Sequence, residues 1–239
     1  MAPTTSSIAA GAERVVLERG PLRVELVLRP FSLAVRRAGR RLLSSGGLWA
    51  ADGTIHDHFI QFTEGVVARE ERAPAERAVR ATAVEKDGDA LTLSVLLQGG
   101  RRAQLRVGLP KDDRVALSLL ADDEPLRLAL EWDRRSEERF VGLGARHGTR
   151  FDQAGRSVQL GADRRYTGPD CPPEMLSAGG IPQGDCAPVP WLLSSRGYAI
   201  WVQTESNGTC FDLDGDRISV STRAHAGPLS VQLLCEPTP

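Results

Sequence analysis

Lysine is nearly missing from this chain: Lys86 and Lys111 are its only two. The other basic residues are arginine, which coding bias explains without any guanidinium-specific role. Neither charge sign is in surplus, with 30 basic residues against 31 acidic. Binding to phosphate-rich partners needs a basic excess or a basic stripe, so nucleic acid and anionic membranes are excluded as partners. No run approaches the roughly 18 consecutive apolar residues that span a bilayer. The N-terminal "MAPTTSSIAAGAE" has no basic region followed by an apolar stretch, so it is not a secretory signal. Residues 1–12 read as a disordered leader, and a cytoplasmic location is the default expectation. Aromatic residues make up 5% of the chain, few for a module that binds by stacking.

Cysteine is scarce too: Cys171, Cys186, Cys210 and Cys235. No two have the spacing of a zinc knuckle. Cys171 and Cys186 share one loop and could meet there, but a reducing compartment favours free buried thiols. "NGT" at Asn207 matches a glycosylation sequon and, without a secretion signal, reads as a turn. Nothing in the sequence calls for a cofactor.

What the chain does have is alternation. Residues 22–37, 58–70, 77–86, 90–98, 102–109, 114–121 and 126–132 place Val, Leu or Ala on one face and Arg, Glu, Thr or Ser on the other. Short polar turns such as "KDGD" and "PKDD" separate them. "VPWLLSS", "YAIWVQTE", "TCFDLD", "RISVSTR" and "LSVQLLCE" continue the pattern towards the C-terminus. Strands about ten residues apart with tight polar turns predict an all-β antiparallel sandwich. One domain over 13–235 is expected, with 236–239 reading as the start of a linker.

Isolated candidates for chemistry are weak. His56 and His58 in "HDH" could share one strand face as two metal ligands, but no third ligand is near, and they read as residues entering a strand. "GLGARHG" fails the dinucleotide fingerprint, because His147 stands where a glycine is needed and no helix follows. Gly142 and Gly144 are expected to let a strand bend or another backbone approach. Ser194 and Ser195 do not lie in a nucleophile elbow.

The exception to the alternation is residues 162–188, "ADRRYTGPDCPPEMLSAGGIPQGDCAP". Structureless segments of this length inside a compact domain are usually functional or disordered. Its carboxylates, arginines and Tyr166 suit a hydroxyl-rich ligand, since carboxylates accept from vicinal hydroxyls and arginine donates. Composition equally allows a loop that merely closes one end of the sandwich.

The surrounding motifs, in order, are Phe140, Gly142, Gly144, Asp152, Gly155, Asp163, Pro190, Ser194, Ser195, Arg196, Gly197 and Tyr198. This series resembles the N-terminal domain of glycoside hydrolase family 31, which includes α-glucosidases, α-xylosidases and sulfoquinovosidases. The resemblance spans most of residues 20–235 and is firmest over 139–213. Ala145 stands where the family has Glu, Trp191 where it has Phe, and Ala199 where it has Gly.

The resemblance implies a galactose-mutarotase-like β-sandwich preceding a catalytic (β/α)8 barrel. It implies that the long loop helps wall a sugar pocket, with Asp163 contacting sugar hydroxyls and Arg164, Arg165 and Tyr166 beside it. Family 31 enzymes are retaining, with two carboxyl groups about 5–5.5 Å apart on barrel strand ends. No alternation of strands with 10- to 15-residue helices occurs here. The expectation is therefore an accessory domain of an α-glycosidase, without catalytic carboxylates of its own, whose partners are an α-glycoside substrate and a C-terminal barrel. The alternatives are a free-standing carbohydrate-binding module and, less well supported, an aldose epimerase. The latter needs a positioned His and Glu, which His56, His58, His147 and His225 do not visibly supply.

Overall fold

The computed structural model describes residues 4–8, 13–60, 65–146, 151–160, 185–203 and 208–236. In chain order the strands are β1 Thr5–Ile8, β2 Arg14–Arg19, β3 Leu22–Leu28, β4 Phe31–Arg37, β5 Arg40–Ala51, β6 Gly53–Ile60 and β7 Gly65–Arg72. Next come β8 Glu76–Asp87, β9 Ala90–Leu97, β10 Arg102–Lys111, β11 Arg114–Ala121, β12 Arg127–Asp133 and β13 Phe140–Arg146. The last are β14 Ser157–Gln159, β15 Asp185–Ser194, β16 Tyr198–Gln203, β17 Cys210–Asp212, β18 Arg217–Arg223 and β19 Leu229–Cys235.

One layer runs β14–β17–β18–β12–β5. The other runs β13–β15–β16–β19–β11–β10–β9–β8. Every pairing is antiparallel. The long strands β5 and β8 join the layers, with Trp49 and Ala50 opposite Arg77 and Glu76. The other half of β5 pairs with β4, which adds the β1–β4 meander. This is the all-β antiparallel sandwich that the alternation predicts.

Burial follows the period of two. β19 reads buried, half-buried, buried along its whole length, and β9 and β11 do nearly the same. Leu48, Leu130, Phe211 and Val220 of the first layer join Leu105, Leu117, Ile200 and Leu233 of the second in one core. Each such side chain withdrawn from water stabilises the fold by about 1.5–3 kcal/mol.

The structure departs from the alternation in four places. Residues 58–70, expected as one strand, belong to two paired strands, with Ile60 opposite Gly65. Alternation alone does not mark where a chain reverses, and Gly65 was the one turn signal in the run. In β8 the register shifts between Ala78 and Arg80 and again between Ala81 and Ala83. These bulges turn the inward set to Ala78, Ala81 and Val84, three residues apart, and leave Val79 42% exposed.

β5 contains "SSGG", poor in strand formers, yet Gly46 is required there. A Cβ on it would lie 2.6 Å from both the Leu33 carbonyl oxygen and Trp132 Cδ1. Lastly, Cys186, Ala187 and Pro188, expected in the long loop, are strand, because β15 starts at Asp185 and pairs with β13. Thr5–Ile8, within the stretch read as a leader, pairs with β2.

Candidate functional site

The expected sugar-contacting residues Asp163, Arg164, Arg165 and Tyr166 lie outside the described residues, as does Cys171. The scaffold on either side of their segment is described. On the near side, the Leu160 amide donates to the Thr209 carbonyl at 2.7 Å. On the far side, the backbone of Asp185 stands opposite Arg146 in the β13–β15 register.

The motif residues that flank the segment form a structural core. Glu138 is 3% exposed. Its Oε1 accepts hydrogen bonds of 2.5 Å from both the Ser194 and Tyr198 hydroxyls. Arg196 lies 3.9 Å from its Oε2, and the Arg196 amide donates back to Ser194 Oγ at 3.0 Å. "SSRGY" is therefore a turn wrapped around one buried carboxylate, with Gly197 at φ +79° closing it. Burial and the adjacent Glu138 charge hold the Tyr198 hydroxyl well above its ordinary pKa. Ser194, held by Glu138, is a scaffold group.

Asp152 has a similar task. Its Oδ1 accepts from the Phe140 and Ala154 amides, each at 3.0 Å. Burial pushes its pKa up, but those two amides and the charge of Arg139 outweigh it and hold the carboxyl below its usual range. Gly142, at φ +118°, packs where a Cβ would lie 2.3 Å from the Trp191 carbonyl oxygen. The backbone approach expected at this glycine is present.

Leu192 and Ile200 point into the core, so their neighbours point out. Trp191 and Trp201 stand opposite each other with ring centroids 5.9 Å apart. Val189 and Leu193 beside them are 45% and 43% exposed. Together they make an apolar strip on the outside of the second layer, next to the start of β15.

The other feature of note lies on the polar face of the first layer. Asp212, Ser219, Glu131 and Gly47 form one row across β17, β18, β12 and β5. Trp49, two residues from Gly47 and so on the same face, sits opposite Arg77. This row and the Arg72–Arg77 connection surround a pocket of about 340 Å³. Glu131 is 5% exposed and pairs with Arg77 and with Arg217, the latter at 3.0 Å. Arg217 also reaches Asp133 at 2.7 Å.

Further along the same face, Glu70 binds Arg127 through two 2.7 Å hydrogen bonds and Arg223 through one of 2.9 Å. Burial raises the Glu70 pKa, but the two guanidinium groups outweigh that and lower it. Arg127 is 1% exposed. The residues of "LRLALEW" expected to face solvent are thus covered by the β7 strand and its connection to β8. Alternation identified that face as polar; only the tertiary covering makes it a site. His56 lies on β6, 3.5 Å from Glu71.

No protein-family model and no curated protein matches the chain. Solved structures do. A GH31 family sulfoquinovosidase from E. rectale, solved with an aza-sugar inhibitor, is similar over 86% of this chain at 14% identity and a TM-score of 0.63. An uncharacterised protein of Listeria monocytogenes EGD-e is similar over 94% at 12% identity and a TM-score of 0.52. The same Listeria protein in complex with α-D-glucose, β-D-glucose, magnesium and calcium gives 98% coverage, 12% identity and a TM-score of 0.51. This chain spans only 31%, 29% and 30% of those three chains. At such identities the likeness is one of fold, and it is the fold that the family 31 resemblance implies.

Proposed function

We propose that this chain is the β-sandwich that accompanies the catalytic domain of a cytoplasmic, retaining α-glycosidase of family 31. It carries no catalytic carboxylates. Its residues 162–188 help wall the sugar pocket, with Asp163 accepting hydrogen bonds from sugar hydroxyls and Arg164, Arg165 and Tyr166 alongside. The observation that carries this reading is the placement of the described motif residues on one continuous piece of scaffold. β13, the Asp152 turn and the β15–β16 hairpin link Phe140, Gly142, Asp152 and Ser194–Tyr198 by strand pairing and hydrogen bonds, and β15, which starts at Asp185, belongs to the same scaffold. Two further observations support it. The fold matches about 30% of a GH31 enzyme's chain, and the Trp191–Trp201 strip offers an apolar surface for a neighbouring domain to cover.

The test has two parts. The 239-residue chain is expected not to hydrolyse p-nitrophenyl α-D-glucopyranoside or α-D-xylopyranoside above the buffer rate; hydrolysis would overturn the reading. In the polypeptide that includes the catalytic domain, Asp163→Ala is expected to lower kcat/KM by about tenfold or more without moving Tm, as loss of a buried hydrogen bond to a charged group does. An unchanged kcat/KM would remove the loop from the sugar pocket.

A further inference from the structure

We propose that the polar-face pocket is a second binding site, for a neutral polyhydroxylated ligand the size of one sugar ring. Its described lining residues come from β5, the β7–β8 connection with its flanking Arg72 and Arg77, β12, β17, β18 and the turn at Asp214. At about 340 Å³ it falls within the range of small-molecule sites.

Its floor is fixed and its remaining polar groups are not. Glu131 is held by Arg77 and Arg217 and has no freedom to move. Ser219, 8% exposed, has its hydroxyl buried without a hydrogen-bond partner among the described residues, and Arg217 Nε is likewise buried without one. A buried hydroxyl is stable only where something answers it. Both residues line the pocket. At the mouth stands Arg72, an exposed guanidinium that forms no ion pair among the described residues. Asp212 and Asp214 are exposed there too, each using one oxygen to accept from a turn amide, at 3.2 and 2.9 Å.

Charge selects the ligand class. Arg72, Arg77 and Arg217 balance Glu131, Asp212 and Asp214, so the described lining residues sum to zero. A free anion or cation would meet as much repulsion as attraction. Hydroxyl groups donate and accept at once, so they can satisfy the carboxylates at the mouth and take hydrogen bonds from Arg72. Half-buried Trp49 supplies an apolar wall for the C–H face of a ring.

Titration of the 239-residue chain with methyl α-D-glucopyranoside, D-xylose and myo-inositol, followed by ligand-observed NMR, tests this. The expected result is saturable binding of at least one of them with a Kd on the order of millimolar. Arg72→Ala and Asp214→Asn are expected to weaken it at least about tenfold. Both positions are exposed, and an unchanged melting curve will show that the fold is kept. Asp163→Ala is expected to leave this binding unchanged. No saturable binding up to about 100 mM would overturn the proposal. So would binding lost in Asp163→Ala but kept in Arg72→Ala, which would place the sugar at the loop. Preference for glucose 6-phosphate over glucose would overturn the neutrality of the site. The kcat/KM effect of Asp163→Ala in the larger polypeptide is read separately, so this site and the loop can fail independently.

Discussion

The Tyr198 hydroxyl donates a 2.5 Å hydrogen bond to the Glu138 carboxylate, across sixty residues of sequence and inside the protein. It ties the β16 strand to the turn that precedes β13. Tyr198→Phe removes that bond and leaves a buried carboxylate with one donor fewer, so a loss of about 1–3 kcal/mol is expected. Urea denaturation at neutral pH measures it. Since the folded-state pKa of Tyr198 is raised, its contribution is full below about pH 10 and falls as pH rises beyond that. In a Tyr166→Phe background, tyrosinate absorbance is expected to appear only when the fold opens.

Glu70 sits between two cations, the buried Arg127 and the partly buried Arg223. Glu70→Ala leaves Arg127 buried and unpaired from its carboxylate, and a loss of about 3–5 kcal/mol is expected. The pH dependence has a definite sign. The folded-state pKa is below the ordinary 4.5, so the stabilisation is complete above that pH and is lost as pH falls further. The stability difference between the wild-type chain and Glu70→Gln is therefore expected to narrow below about pH 4.5 in denaturation curves taken at a series of pH values.

Gly142→Ala is expected to be among the most harmful single-methyl additions in the chain. It combines a φ of +118° with a Cβ 2.3 Å from the Trp191 carbonyl oxygen, a backbone atom that cannot rotate away. A loss above about 2 kcal/mol is expected, read as a drop in Tm. Gly39→Ala, at φ +78° with nothing within 4 Å of the new methyl, is the control and is expected to lose about 1 kcal/mol.

Cys210 and Cys235 are free and buried. Burial pushes the Cys235 thiol up to about 12 and raises that of Cys210. Thiolate is the reactive form, so neither is expected to be alkylated by iodoacetamide at pH 8 until the chain is unfolded. Peptide mass mapping before and after denaturation checks each cysteine separately.

Most of the fold was legible because burial on a sheet repeats every two residues. Strands such as β9, β11 and β19 announce themselves in this way. Legibility failed where geometry breaks the period. The two bulges of β8 changed its spacing to three, and Gly46 of β5 is there for Leu33 and Trp132, which are distant in sequence. The site was less legible still. In "SEERF" nothing distinguishes Glu137 from Glu138, yet only Glu138 meets Ser194, Arg196 and Tyr198. Ser219, Glu131 and Asp212 are unremarkable polar positions until three separate pairings set them in one row.

The sequence by itself determined that this is an antiparallel all-β chain of balanced charge with one long aperiodic segment. Those properties follow from local periodicity and composition, which need no knowledge of which strands meet. Only the tertiary structure decided which polar residues are buried, what Glu138 and Glu70 hold together, and that one face of the first layer encloses a pocket. These depend on the register between strands far apart in the chain. A shift of one residue would turn Glu131 towards the core and Leu130 into the pocket.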